Sequence, residues 1–196
     1  MKVLVVVAHQ NTAQTSFCHA ITQVAAETLK STGHEVVLHD LYAEWFDPML
    51  TQEELAADAP ANPVIRQHID ELIGADGYVI VHPNWWGQPP AVLKGWIDRV
   101  FRQGQVYRFG ADGSVTSTIA GRKALVLTTS NTPREAELGL YGDPLENLWK
   151  NCIFGLVGIT DFVRRNFESI IMSTPDQRET WLAETRALVE KQFPPA

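Results

Sequence analysis

Strands and helices alternate along this chain, and that order constrains the fold more than any other feature of the sequence. The β-branched run over Val3–Ala8 is unbroken and bounded by a polar loop, as is typical of a central strand in a parallel sheet. Apolar residues then recur at helical spacing over 17–31, and Glu35–Asp40 is predicted as a second strand. Parallel strands need such a crossover connection, so this segment predicts a strand–helix–strand unit.

The same alternation continues along the rest of the chain. Further strands are predicted over Tyr78–His82, Lys123–Thr129 and Phe162–Phe167, and helices over 63–73, 91–102, Leu145–Gly155 and 175–192. Between them we expect a capping box at Thr51 and Glu54, a hairpin-like excursion over 103–121 and a polar loop over 130–144. Five strands alternating with helices predict an α/β fold with an open, doubly wound parallel sheet, built as one domain over residues 1–196.

Composition narrows the function classes. The formal net charge of −7 argues against general nucleic-acid binding, which needs a basic surface. Apolar runs are too short for a membrane span, and the polar residues from His9 onward interrupt a possible signal peptide. Cys18 and Cys152 form no C-x-x-C pair, so we expect no metal or disulfide framework and a reducing, cytoplasmic setting.

Ligands of open α/β sheets bind at the carboxyl ends of the strands, where this sequence places loops 9–16, 83–90 and 130–143. The first loop leads into a helix, whose free N–H groups and dipole favour an anion. His9, Thr15 and Ser16 could therefore hold a phosphate, although simple capping of the helix by Thr15 or Ser16 explains them equally well. The loop has neither the G-x-G-x-x-G nor the G-K-[ST] fingerprint.

Two adjacent tryptophans, Trp85 and Trp86, dominate the second loop. A flat aromatic ligand beside them would explain their presence, and Gly87 would permit close approach of the backbone. Packing of one tryptophan in the core and the other in a subunit contact is an open alternative. The third loop, which begins at Thr128–Pro133, offers small hydroxyl and amide groups to a ring edge or a phosphate, or forms an ordinary turn. The prediction of a ligand site depends on the convergence of all three loops.

Residues Pro83–Phe101 (PNWWGQPPAVLKGWIDRVF) closely resemble the signature loop and helix of the quinone reductase family, of the flavodoxin-like DT-diaphorase type. His9–Cys18, Phe46–Thr51 and Gly121–Thr129 are also similar to that family, so the resemblance covers nearly the whole chain. In length the chain is similar to short bacterial members, which include ancillary subunits of potassium-efflux systems and general stress oxidoreductases. The resemblance implies a flavodoxin-like, doubly wound, five-stranded parallel sheet that binds a flavin.

The resemblance also implies roles for individual positions. Residues at the flavin phosphate would be His9, Ser16, Phe17 and Cys18. Residues lining the isoalloxazine would be Pro83, Asn84, Trp85, Trp86 and Gly87, and residues on its pyrimidine side would be Thr129, Ser130 and Asn131. Residues over the substrate pocket, reaching across a homodimer, would be Tyr107 and Phe109.

The sequence departs from the family pattern at several of these places. Gln10 replaces a proline, Cys18 replaces an asparagine, and Ser130-Asn131 replaces a Gly-Gly pair. Tyr141 stands where the best-known members have the histidine of a His-Gly-Asp motif. We therefore assign Tyr141 a catalytic role in stabilising reduced flavin, with a packed loop tyrosine as the alternative.

The resemblance implies hydride transfer from NADH or NADPH, through bound flavin, to a quinone or similar electron-poor aromatic acceptor, in ping-pong order. FMN is the favoured cofactor, because the chain lacks the extra C-terminal segment of longer members, and FAD is possible. Two other functions stay open: a one-electron flavodoxin-type carrier, and a regulatory subunit of a potassium-efflux transporter. The remaining histidines show no metal-ligand spacing, and His82 is expected to be structural.

Overall fold

The computed structural model describes residues 1–11, 13, 15–56, 59 and 61–195 of the chain. A sheet of five parallel strands forms the central layer, in the spatial order β2–β1–β3–β6–β7. These strands are β1 (Lys2–Val7), β2 (Glu35–Asp40), β3 (Gly77–Pro83), β6 (Lys123–Thr129) and β7 (Asp161–Phe167). The order confirms the predicted doubly wound α/β sheet, in which the strand sequence reverses between β1 and β3.

Helices cover both faces of the sheet. They are α1 (Phe17–Ser31), α2 (Pro63–Gly74), α3 (Ala91–Val100), α4 (Arg134–Gly139), α5 (Pro144–Asn147) with a π-helical continuation over Leu148–Gly155, and α6 (Pro175–Gln192). Helices α1 and α6 pack on one face, and α2, α3 and the π-helical segment pack on the other. Successive residues of β1 point alternately into these two cores, which explains why its sequence is apolar throughout.

Three connecting segments test the finer predictions. A short antiparallel hairpin, β4 (Tyr107–Phe109) with β5 (Val115–Ser117), confirms the excursion expected over 103–121. At the expected capping box, the backbone N–H of Thr51 donates to Glu54 Oε2 at 3.1 Å, beside a single 3-10 turn at Glu53–Leu55.

The prediction of a polar loop over 130–144 is wrong in part, because α4 forms within it. Pro133 precedes a run of helix-favouring Arg, Glu, Ala and Leu residues, and its fixed φ suits the start of a helix.

Within the described part of the chain, no helix is both long and apolar enough to cross a membrane.

Candidate functional site

The three predicted loops meet at the carboxyl edge of the sheet. Thr129, the last residue of β6, connects them. Its carbonyl accepts a hydrogen bond from the Asn84 backbone N–H at 2.6 Å, and its Oγ1 lies 3.3 Å from Cys18 Sγ at the start of α1. Residues that follow β1, β3 and β6 therefore lie at one edge, as the sheet topology requires.

The first loop ends at the N-terminus of α1. Ser16 caps this helix, because its Oγ accepts the His19 backbone N–H at 3.3 Å. The same Oγ lies 2.7 Å from His19 Nδ1, and His19 Nε2 lies 3.0 Å from Asp40 Oδ2, with both side chains nearly buried. The 15-residue helix directs its positive dipole end at this loop, so capping and anion binding are compatible here.

His9 and Thr15 flank this helix start. His9 Nδ1 accepts the Asn11 backbone N–H at 3.1 Å, which leaves the ring proton on Nε2 in the neutral form. Burial, and then the neighbouring His19, lower the pKa of His9. Thr15 Oγ1 accepts from Asn11 Nδ2 at 2.9 Å. Positions 12 and 14 of the predicted loop lie outside the described residues.

Phe17 and Cys18, the first two residues of α1, pack into the hydrophobic core next to the first loop. Phe17 packs edge-to-face on Phe167 and lies beside Trp181, with ring centroids 6.0 and 5.8 Å away. Cys18 is 1% exposed, and burial raises the pKa of its thiol to about 12. A thiol in this environment stays protonated and unreactive at neutral pH.

The two tryptophans begin a tight turn. Backbone hydrogen bonds of 3.0 Å join Trp85 and Gln88 in both directions, and the residues between them, Trp86 and Gly87, have φ values of 56° and 73°. Positive φ at both central positions is the geometry of a type I′ turn, which a bulky residue adopts only under strain. The Trp86 side chain is fully exposed and that of Trp85 is 36% exposed. Neither tryptophan is packed in the core, so that part of the alternative is wrong.

A cavity of about 630 Å³ opens beside this turn. Its lining residues are Asn84, Trp86, Gly87, Thr132, Glu137, Leu140, Tyr141 and Pro144. Tyr141 is 62% exposed there, which places the predicted catalytic tyrosine at the cavity. A β-carbon at Gly87 would lie 2.7 Å from Pro144 Cγ, so glycine lets the turn pack against α5.

Side chains of the third loop bond mainly within the protein. Ser130 Oγ accepts from Asn166 Nδ2 at 3.0 Å and donates to the Thr132 carbonyl at 3.2 Å. Asn131 Oδ1 accepts the Ile171 backbone N–H at 3.0 Å. Ser130 and Asn131 therefore stabilise the loop through these bonds, as in an ordinary turn.

Tyr107 and Phe109 lie on the β4–β5 hairpin and do not line the cavity within one chain. Their rings contact each other edge-to-face at 5.6 Å, and Phe109 is half exposed. Tyr107 borders a separate cavity of about 210 Å³, next to Cys152. Any contribution of these two rings to the larger cavity must therefore come from another copy of the chain.

Two further histidines meet in space although their spacing in sequence shows no metal motif. Ligand atoms of His39, Glu44 and His68 lie within 4.8 Å of one another. However, Trp96 Nε1 donates to His68 Nδ1 at 3.2 Å, so the proton of neutral His68 lies on Nε2. Nε2 is then a donor toward Glu44, 3.9 Å away, and not a free metal ligand.

Sequence reasoning missed three residues of the cavity wall, namely Glu137, Leu140 and Pro144, and it included Thr132 only within the third loop, without a role of its own. All lie within the segment treated as a polar loop. Pro133 and the helix-favouring residues after it could have indicated a helix here, but they give no sign that Glu137 is buried, since Glu137 is 4% exposed while Leu138 is 49% exposed.

Together, the doubly wound sheet and the cavity at its carboxyl edge define an α/β protein of the flavodoxin-like class. The family model described as flavodoxin-like fold matches residues 1–193, and the chain belongs to this family.

Named relatives agree with the resemblance to quinone reductases. The chain is 31% identical over 163 residues to an uncharacterized NAD(P)H oxidoreductase of Haemophilus influenzae, covering 81% of this chain and 79% of that protein. It is 30% identical over 168 residues to NAD(P)H dehydrogenase (quinone) 1 of Cavia porcellus, covering 76% of this chain. The chain spans only 60% of the length of the Cavia porcellus protein.

A solved structure shares almost the whole architecture. The crystal structure of Smu.1420 from Streptococcus mutans UA159 superposes with a TM-score of 0.87 at 31% sequence identity, covering 97% of this chain and 100% of that chain. The predicted resemblance to the quinone reductase family of flavodoxin-like fold is thus confirmed.

Proposed function

We propose that this chain is a flavin-dependent NAD(P)H oxidoreductase that transfers a hydride to a quinone or a similar electron-poor aromatic acceptor, in ping-pong order. The observation that carries the proposal is Trp86, a fully exposed tryptophan in a strained turn beside a cavity of about 630 Å³. Strain of this kind concentrates at ligand sites, and an exposed indole face suits a flat aromatic ligand. The names of the Cavia porcellus and Haemophilus influenzae relatives support the same activity.

The residues present fit a flavin at both of its ends. Ser16, the Nε2–H of His9 and the free N–H groups of α1 suit a phosphate, with the helix dipole adding to the attraction. Trp86 and the backbone around Asn84 suit the ring, and the cavity volume falls in the range of small-molecule sites, roughly 300–1,000 Å³. FMN carries one phosphate, which the N-terminus of α1 would hold. When bound, the flavin would supply the hydride chemistry.

The chain's own residues would bind and orient the flavin and would stabilise the charge that develops on it. We assign to the Tyr141 hydroxyl, at the cavity, a hydrogen bond donated to negative charge that develops there during reduction. Pro83, Thr129, Ser130 and Asn131 would shape the cofactor site through the backbone and through internal hydrogen bonds.

We further propose a homodimer, in which Tyr107 and Phe109 of one copy would cover the cavity of the other. The half-exposed Phe109 ring supports this, because it lies on a hairpin that is not paired with the five-stranded sheet. The proposal places one flavin-binding domain over residues 1–196, in a reducing, cytoplasmic setting, which the two free cysteines support.

The experiment is a visible absorption spectrum of the purified protein with added FMN, repeated after anaerobic addition of NADPH and then menadione. We expect a yellow protein that bleaches and then recovers its colour. A protein that binds flavin but oxidises neither NADPH nor NADH would support an electron carrier instead. A protein that neither binds FMN or FAD nor oxidises either nucleotide would refute the enzyme, and co-purification with membranes would then test the transporter-subunit alternative.

A further inference from the structure

Glu137 is the one charged residue among the described residues that line the cavity. It lies on α4 and is 4% exposed. Burying a carboxylate costs free energy unless hydrogen bonds or a cation compensate it. A buried carboxylate in the wall of a ligand cavity therefore indicates a role toward the ligand or toward the cavity wall itself.

Hydrogen bonds account for only part of what this carboxylate can accept. Asn84 Nδ2 donates to Glu137 Oε1 at 3.1 Å, while Asn84 Oδ1 accepts the Gly87 backbone N–H at 2.9 Å. Because a carboxylate only accepts, this chain of bonds fixes which way the Asn84 amide points. A carboxylate offers about four lone-pair positions. Among the described residues, Asn84 is the one side chain that donates to Glu137, so acceptor capacity remains for a ligand.

No cation of the described residues forms an ion pair with Glu137. Arg164 reaches this part of the structure, but its Nη1 lies 2.8 Å from Asp143 Oδ2 and 3.4 Å from Glu146 Oε2. Two carboxylates already share that guanidinium. The cavity wall therefore has negative character at Glu137, and among the described side chains only Asn84 donates a hydrogen bond to this carboxylate.

We infer that Glu137 determines which acceptors enter the cavity. It favours flat aromatic molecules that are neutral or carry an N–H or O–H donor, and it disfavours carboxylates and sulfonates. A carboxylate that is largely shielded from water, as Glu137 is, repels a like charge brought beside it, whereas a donor group gains a charge-assisted hydrogen bond. The inference rests on the proposed function for its setting, since it names the acceptor class of that same site.

The test compares two ligands of the same shape, 2-naphthamide and 2-naphthoate, whose binding to the flavin-loaded protein is measured by calorimetry. We expect the neutral amide to bind roughly tenfold more tightly than the anion. In Glu137→Gln we expect this ratio to fall to about threefold or less, mainly because the anion binds better. The matched control is Glu135→Gln, which removes the same charge from an exposed position on the same helix, and it should keep the wild-type ratio.

Equal affinities for the two ligands in the wild-type protein would overturn the inference, and this comparison holds even where Glu137→Gln fails to fold. An equal change of the ratio in Glu135→Gln and Glu137→Gln would also overturn it, because net charge would then explain the preference. Failure of the proposed function looks different: menadione would not be reduced by NADPH, whatever the ratio of the two binding constants.

Discussion

Replacing Trp86 by glycine should stabilise the protein while weakening its hold on the flavin. Trp86 has φ = 56°, and its side chain is fully exposed. A left-handed backbone costs a residue with a β-carbon roughly 1–2 kcal/mol. Glycine avoids that cost, but its greater conformational freedom in the unfolded chain lowers the free energy of unfolding by about 0.4–1 kcal/mol. Because an exposed indole gives up no packing, the free energy of unfolding of the flavin-free protein should rise by roughly 0.5–1 kcal/mol.

The same substitution removes the aromatic surface proposed to contact the flavin ring. An aromatic contact contributes about 0.5–1.5 kcal/mol beyond the area it buries. We therefore expect the Kd for FMN to rise roughly three- to tenfold in Trp86→Gly. Urea unfolding followed by circular dichroism measures the first effect, and quenching of FMN fluorescence on titration measures the second.

Trp45 supplies a matched control. It has φ = 53° and is 88% exposed, but it does not line the cavity beside Trp86. Trp45→Gly should show the same gain in stability with no change in the Kd for FMN. The reasoning is refuted if Trp86→Gly lowers the stability of the flavin-free protein, or if Trp45→Gly weakens FMN binding as much as Trp86→Gly does.

Three other outcomes follow from the core of the structure. Burial raises the pKa of the Cys18 thiol to about 12, whereas Cys152 is exposed. A thiol reagent at pH 8 should therefore react with one thiol in the native chain and with two after unfolding in guanidinium. Rapid reaction of two thiols in the native chain would contradict the burial of Cys18. Burial lowers the pKa of His82 from the ordinary 6.5 to about 4 in the folded chain. Between these two pH values His82 is protonated in the unfolded chain but neutral in the folded chain, so the free energy of unfolding falls as the pH falls from 6.5 to 4. His82→Gln should therefore flatten the dependence of urea stability on pH by about 1.4 kcal/mol per pH unit between pH 6 and 4.5, and an unchanged slope would show that His82 titrates normally. Gly95→Ala should lower the free energy of unfolding by roughly 1–3 kcal/mol, since a β-carbon there would lie 2.3 Å from a proline side chain. The control Gly74→Ala should not lower it, because no heavy atom lies within 4 Å of a β-carbon at that position. Thermal unfolding compares the two variants, and equal Tm values would count against the close contact at Gly95.

The sequence by itself determined the sheet and the edge at which the site lies. Side-chain alternation in strands and apolar spacing in helices are local patterns, and their order along the chain selects a doubly wound sheet. Strands β2 and β6 and helix α1 match the predicted ranges, because an apolar run marks the centre of each strand and Gly33 follows the end of the helix. Trp86 and Tyr141 were also identified from the sequence, and both line the cavity.

Only the tertiary structure decided what individual side chains do at that edge. Cys18 is buried against Thr129, and Asn131 bonds to Ile171. Both arrangements depend on contacts between residues far apart in the sequence.

The same holds for the two features on which the proposals depend. The left-handed conformation of Trp86 follows from hydrogen bonds that close its turn, and the burial of Glu137 follows from the packing of α4 against the loop after β3. A glutamate in a polar run has no local sign of burial, because exposure is a property of what packs against it. Composition and spacing thus specify which elements form and in what order, whereas the charge and shape of the cavity arise only when the segments after β3 and β6 are brought together.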